Sequence, residues 1–157
     1  MKVNILFDEE LSSIPDTGWL EKISRKILAL AGAPENAEVG LYISGESMMR
    51  DTNLEWRGED ALTDVLAFAL NERKTGENSG FVLPPDGMTH LGQVVVCLNV
   101  AEVQAEENEH STDTEIAVLI AHGILHLLGY DHKKAEDAKK MQAKEAEILA
   151  GIKSDLP

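Results

Sequence analysis

The sequence predicts an α/β fold: one small domain in which a sheet is covered by helices. Two observations carry this expectation. Four short apolar runs rich in β-branched residues are interleaved with five segments of helical pattern. The chain of 157 residues, 43% hydrophobic and 27% charged, is long enough to bury a real core and matches the composition of ordinary globular domains. Residues 1–157 are expected to form this one domain, with 151–157 as a flexible tail.

Val3 to Phe7 reads as the first strand. Pro15-Asp16 then opens a helix in which Trp19, Leu20, Ile23, Ile27, Leu28 and Leu30 recur at helical spacing, and Gly32-Ala33-Pro34 stops it. A second strand is expected at about Val39 to Ile43, followed by a polar helix from about Glu46 to Trp56 with Gly58 as its stop. Val65 to Leu70 is the third strand. Residues Asn71 to His90 contain Gly76, Gly80, Pro84, Pro85 and Gly87, the composition of a long loop or a hairpin excursion. The fourth strand covers Gln93 to Leu98, and Asn99 is placed to cap an Ala- and Glu-rich helix reaching about Glu109. Thr112 with Glu115 has the pattern of a capping box. It opens a helix, Ile116 to Leu128, that is apolar nearly all round and therefore belongs in the core. A last amphipathic helix, Lys133 to Leu149, turns Met141, Ala146, Ile148 and Leu149 inward.

Composition narrows the function. The apolar stretch within Met1 to Asp8 is too short for a signal peptide, and no later run approaches membrane-spanning length, so a cytoplasmic protein without membrane contact is expected. The single cysteine, Cys97, can form no intrachain disulfide, and within Val94-Val95-Val96-Cys97-Leu98 it reads as a small buried hydrophobe. The 28 acidic residues against 14 basic ones give a net charge of −14, which repels polyanions at long range. A nucleic-acid ligand therefore has to be held by local features.

One segment concentrates the chemistry: His122-Gly123-Ile124-Leu125-His126-Leu127-Leu128-Gly129-Tyr130-Asp131-His132. It holds three of the five histidines, where a random distribution would place roughly a third of one. His122 and His126 are four apart on a helix, which puts both imidazoles on one face where they can converge on one ion. Gly129 can end the helix in a left-handed turn and swing His132 round as third ligand. The spacing H-x3-H-x5-H is that of the metzincin peptidases, but the glutamate that serves them as general base is replaced here by Gly123. Three ligands leave a tetrahedral ion such as zinc one open position, the catalytic arrangement. Asp131 fits either a carboxylate that orients a ligand or a helix cap, and His90 and His110 read as loop and helix-end residues.

The same run resembles the signature of the bacterial YbeY family of metal-dependent single-strand endoribonucleases, which take part in ribosomal RNA maturation and ribosome quality control. A second block is similar to the family's other motif: Asn53-Leu54-Glu55-Trp56-Arg57-Gly58, leading to Thr63-Asp64-Val65-Leu66-Ala67-Phe68. Leu91-Gly92 also fits, so the likeness runs from about Asn53 to Leu149. Departures are Ala67 where the family has serine, Ala69 for proline, and Gln93 where aspartate is frequent. The resemblance implies a mixed sheet of about four strands and a zinc-dependent endoribonuclease acting on single-stranded RNA at the 3′ end of small-subunit ribosomal RNA. It further implies partners such as a small-subunit ribosomal protein and an Era-type GTPase. Arg57 alone reads as a helix-end side chain near the last carbonyls. The resemblance ties it to activity, since a guanidinium beside a metal can hold phosphate oxygens bidentately. Thr63 and Asp64 match too, and a turn leading into a strand also explains them. Two other functions fit the cage: a metallopeptidase-like hydrolase, and a non-catalytic ribosome-associated protein that the metal only stabilises.

Overall fold

The structure, a computed structural model, describes residues 1–70 and 87–157. Strands β1 (Lys2–Phe7), β2 (Ala37–Ser44), β3 (Val65–Ala69) and β4 (Thr89–Cys97) form one sheet in the order β1-β2-β4-β3. β2 lies parallel to both β1 and β4, while β3 runs antiparallel to β4 at the edge, so the sheet is mixed as expected. Parallel neighbours need a crossover, which α1 (Thr17–Leu30) supplies between β1 and β2. The other helices are α2 (Glu46–Arg57), α3 (Leu98–Glu107), α4 (Thr112–Leu127) and α5 (Ala135–Ile152).

Strand alternation sorts the side chains into two clusters. Val39, Leu41 and Ile43 of β2 join Val94 and Val96 of β4 in the main core with α1, α4 and α5. Val95 and Cys97 turn to the opposite face and pack with Met49 of α2 and Leu66 of β3. Cys97 is fully buried, as its apolar surroundings predict. In α4, Ile116, Ile120, Ile124, Leu125 and Leu127 are at most 1% exposed. Each contributes roughly 2 kcal/mol of transfer free energy, which fixes this helix as a wall of the core.

Several element ends differ from the expectation, each for a tertiary or local reason. Helix α4 is capped by Ser111, whose hydroxyl accepts from Thr114 N at 3.1 Å, so Thr112 is already helical. Glu115 is buried and takes His110 Nε2 at 2.7 Å instead of closing a capping box. Asn99 does not cap α3, because that helix starts at Leu98, directly out of β4. β4 begins earlier than expected, so His90 is a strand residue paired with Glu38 of the neighbouring β2. In α5 the buried positions are Met141, Ile148 and Ile152, Leu149 packs half-buried against the core as expected, and Ala146 is exposed. The expected excursion between strands three and four falls largely on residues 71–86, which lie outside the described residues.

The expected flexible tail, 151–157, is instead packed. Ile152 is fully buried at the end of α5, and a 3-10 turn, Lys153–Asp155, follows. Trp19 Nε1 donates to Asp155 O at 3.1 Å, while Lys26 and Lys22 both reach the Asp155 carboxylate. Those two lysine hydrogen bonds, Lys26 first, hold the Asp155 carboxyl below the usual carboxylate range. One apolar anchor and one shared carboxylate thus tie the chain end to α1.

Candidate functional site

His122 and His126 share one face of α4. Every other residue from Ala121 to Leu127 is buried, so the two imidazoles occupy the strip of this helix that opens onto a cavity of about 800 Å3. The chain then reverses at Gly129, whose φ of 99° is one that a side chain would resist. Gly129 N donates to His126 O at 3.0 Å and Tyr130 N to Leu125 O at 2.9 Å, the two bonds of a Schellman turn. That turn returns His132 to the other two rings, at centroid distances of 6.0 Å from His122 and 5.3 Å from His126.

One ligand nitrogen from each of the three histidines lies within 4.8 Å of the others. His122 Nε2 and His126 Nε2 are 3.2 Å apart. Two nitrogens at 2.0–2.1 Å from a tetrahedral ion stand about 3.3 Å from each other, so this pair has the separation a shared ion requires. Burial pushes the His126 imidazole below its ordinary pKa, and His122 and His132 push it the same way. The neutral form, the one that ligates metal, is thereby favoured. The three residues can hold a metal ion.

Sequence reasoning missed Glu145. Its Oε1 lies 3.0 Å from His122 Nδ1, reaching across from α5. A proton on Nδ1 shared with this carboxylate leaves the Nε2 lone pair directed at the cage, the usual way a ligand imidazole is oriented. Nothing local marks the residue, since Glu147, two positions on, is equally charged but exposed and paired with Lys144. Asp131 caps no helix, and it holds the candidate ligand His132 by its backbone N–H and not by its ring. Its Oδ1 accepts from His132 N at 2.6 Å and Lys133 N at 3.2 Å, which locks the turn, while α5 begins only at Ala135.

The position after His122 is decided by packing. A Cβ at Gly123 would stand 2.6 Å from Val94 Cγ1 and 3.0 Å from Cγ2, because α4 lies directly on β4 there. A metzincin-type glutamate has no room at this point.

The second sequence block forms other parts of the same cavity. Arg57, Trp56 and Phe68 line it together with the histidines. Arg57 Nη2 donates to Ala67 O at 3.0 Å, and its guanidinium carbon stands 5.8 Å from the Phe68 ring centroid. The contact to Ala67 is made by the carbonyl, so alanine in place of serine leaves it intact. Asn53, 3% exposed, donates to Ala61 O at 2.9 Å and braces the loop after α2. Asp64 accepts from Val65 N at 2.8 Å and from Gln104 Nε2 at 3.3 Å, which makes it the turn that starts β3. His90 and His110, paired with Glu38 and Glu115, stand outside the cavity lining.

Two blocks far apart in sequence thus line one cavity, and the family described as endoribonuclease YbeY matches residues 6–153, a range that includes both. The chain belongs to the endoribonuclease YbeY family. It is 41% identical to the endoribonuclease YbeY of Dehalococcoides mccartyi strain 195 over 136 residues, 84% of this chain and 78% of the relative. It is 38% identical to that of Geobacillus thermodenitrificans, covering 95% of this chain and 96% of the relative. With the YbeY protein of Chloroflexus aurantiacus it shares 36% identity over 94% and 92% of the two chains. The solution structure of TM1509 from Thermotoga maritima superposes with a TM-score of 0.57 at 23% identity, covering 98% of this chain and 93% of that one. That likeness supports the fold alone. Among the YbeY-like positions of this chain, the three histidines, Arg57, Trp56, Asn53 and Asp64 all line the cavity, and the side chains of Asn53 and Asp64 also hold the backbone around them through Ala61 O and Val65 N.

Proposed function

We propose that this protein is a zinc-dependent endoribonuclease that cuts single-stranded RNA in ribosomal RNA maturation, at the 3′ end of the small-subunit RNA, and in ribosome quality control. The observation that carries this is the meeting of a three-imidazole cage and an arginine in one cavity, in a chain whose relatives are named endoribonucleases. Three neutral imidazoles suit zinc, with another divalent transition metal as second choice. When bound, the ion supplies Lewis-acid polarisation of a phosphate oxygen and a water whose pKa is lowered towards about 7.

The chain's own residues do the rest. Glu145 holds the His122 ring with Nε2 towards the cage. Arg57 spends one of its N–H donors on Ala67 O, and its fork geometry suits two phosphodiester oxygens, where its charge offsets the charge that builds up during cleavage. The −14 charge weakens non-specific attraction to free RNA. Delivery by a ribosomal particle, through a small-subunit ribosomal protein or an Era-type GTPase, removes that difficulty. The cytoplasm is where such a substrate resides, and no helix among the described residues is long and apolar enough to cross a membrane.

Arg57→Ala tests the assignment of the phosphate clamp. Cleavage is expected to fall about 100-fold, the loss typical of removing one donor to a developing oxyanion, with metal content unchanged. Cleavage at the wild-type rate in Arg57→Ala, read by gel analysis of ribosome-bound RNA, would remove Arg57 from the mechanism.

A further inference from the structure

Trp56 is 67% exposed on the last turn of α2. Leaving the largest apolar side chain in water forgoes its burial free energy, so an exposed tryptophan beside a cavity marks a contact surface. Of the large hydrophobic residues exposed among those described, Trp56 is the one that lines the histidine cavity; Leu6, Ile14, Leu54 and Val103 do not. Its ring is 5.8 Å from that of Phe68, with the planes 56° apart, and Phe68 in turn carries the Arg57 guanidinium. An aromatic pair and a cation therefore stand in contact in the wall of the cavity that holds the three histidines. A net charge of −14 weakens the binding of RNA through its phosphates, whereas stacking of a base on an aromatic ring does not depend on charge.

We propose that Trp56, braced by Phe68, is the stacking platform for one unpaired nucleobase beside the phosphate held by Arg57. This base-binding subsite rests on the endoribonuclease reading above and adds its recognition element. Bases inside a duplex already have both faces stacked, so the platform selects single strands. Every base offers a π-face, so it tolerates sequence variation.

The test is fluorescence anisotropy with metal-loaded protein and a labelled single-stranded RNA of roughly ten nucleotides, within the span such sites cover. The same RNA is then examined with one abasic nucleotide at each position in turn. Trp56→Ala is expected to weaken binding about 5- to 150-fold, and Trp56→Phe to retain most of it. The slope of log affinity against log salt should stay as in wild type, because no charge is lost. One abasic position should cost the wild type a similar factor and cost Trp56→Ala nothing. Equal binding by wild type and Trp56→Ala, or an equal abasic penalty in both, overturns the platform. If wild type nevertheless binds and cleaves RNA in that case, only the platform falls. If wild type neither binds nor cleaves any RNA, the endoribonuclease reading falls with it.

Discussion

Replacing His126 with alanine is expected to strip the metal from the protein and to lower RNA cleavage about 1000-fold or more. The size follows from losing several kcal/mol of transition-state stabilisation supplied by the ion, at 1.36 kcal/mol for each tenfold. His126 is the central member of the cage, with its Nε2 3.2 Å from that of His122 and its ring nearer to His132 than the His122 ring is. Removing it leaves two ligands, too few to hold an ion against solvent. The fold should survive, because the core face of α4 is made by its isoleucines and leucines and the His126 ring faces the cavity. Mass-spectrometric metal analysis and circular dichroism on the same sample check both halves. Full metal occupancy in the alanine variant would mean that the ion is held elsewhere.

Gly123→Glu would restore the residue that a metzincin peptidase carries after its first histidine, and it is expected to damage the fold without creating a peptidase. The clash is with Val94, a stiff β-branched side chain that is 1% exposed and flanked by the rest of the core. Overpacking together with a carboxylate forced against apolar neighbours should cost about 3 kcal/mol or more. For a domain of this size that corresponds to a fall of roughly 6–12 °C in Tm. Thermal unfolding beside a casein digestion measures it. A variant as stable as wild type, or one that digests casein, would reopen the peptidase alternative.

The parts of this site that sequence revealed are those built by local geometry. A spacing of four on a helix puts His122 and His126 together whatever the surroundings, and Gly129 at the helix end announces the turn that carries His132. Strand alternation and the apolar content of α4 likewise fixed the layers, because burial imposes them on every residue of the element. What stayed hidden depends on how elements meet. Glu145 reaches His122 only because α5 packs beside α4, and the Arg57 contact to Ala67 needs the end of α2 to lie over β3. The chain end looked polar and unanchored, yet Lys22 and Lys26 on α1 were waiting for Asp155. Helix starts moved by one or two residues, and the start of α4 did so for a local reason. Ser111 could be told from Thr112 as the cap only once the hydroxyl was seen to reach Thr114 N.

The measurement that tests the central claim most directly is removal and return of the metal. Protein stripped by a chelator is titrated with zinc while bound metal and cleavage of single-stranded RNA, free and on ribosomal particles, are followed together. Cleavage should vanish in the stripped protein and return in proportion to zinc, reaching its maximum at one ion per chain. Cleavage that persists without metal would contradict a metal-dependent mechanism. Full zinc occupancy with no cleavage in either setting would contradict the enzyme itself and leave a metal-stabilised binding protein.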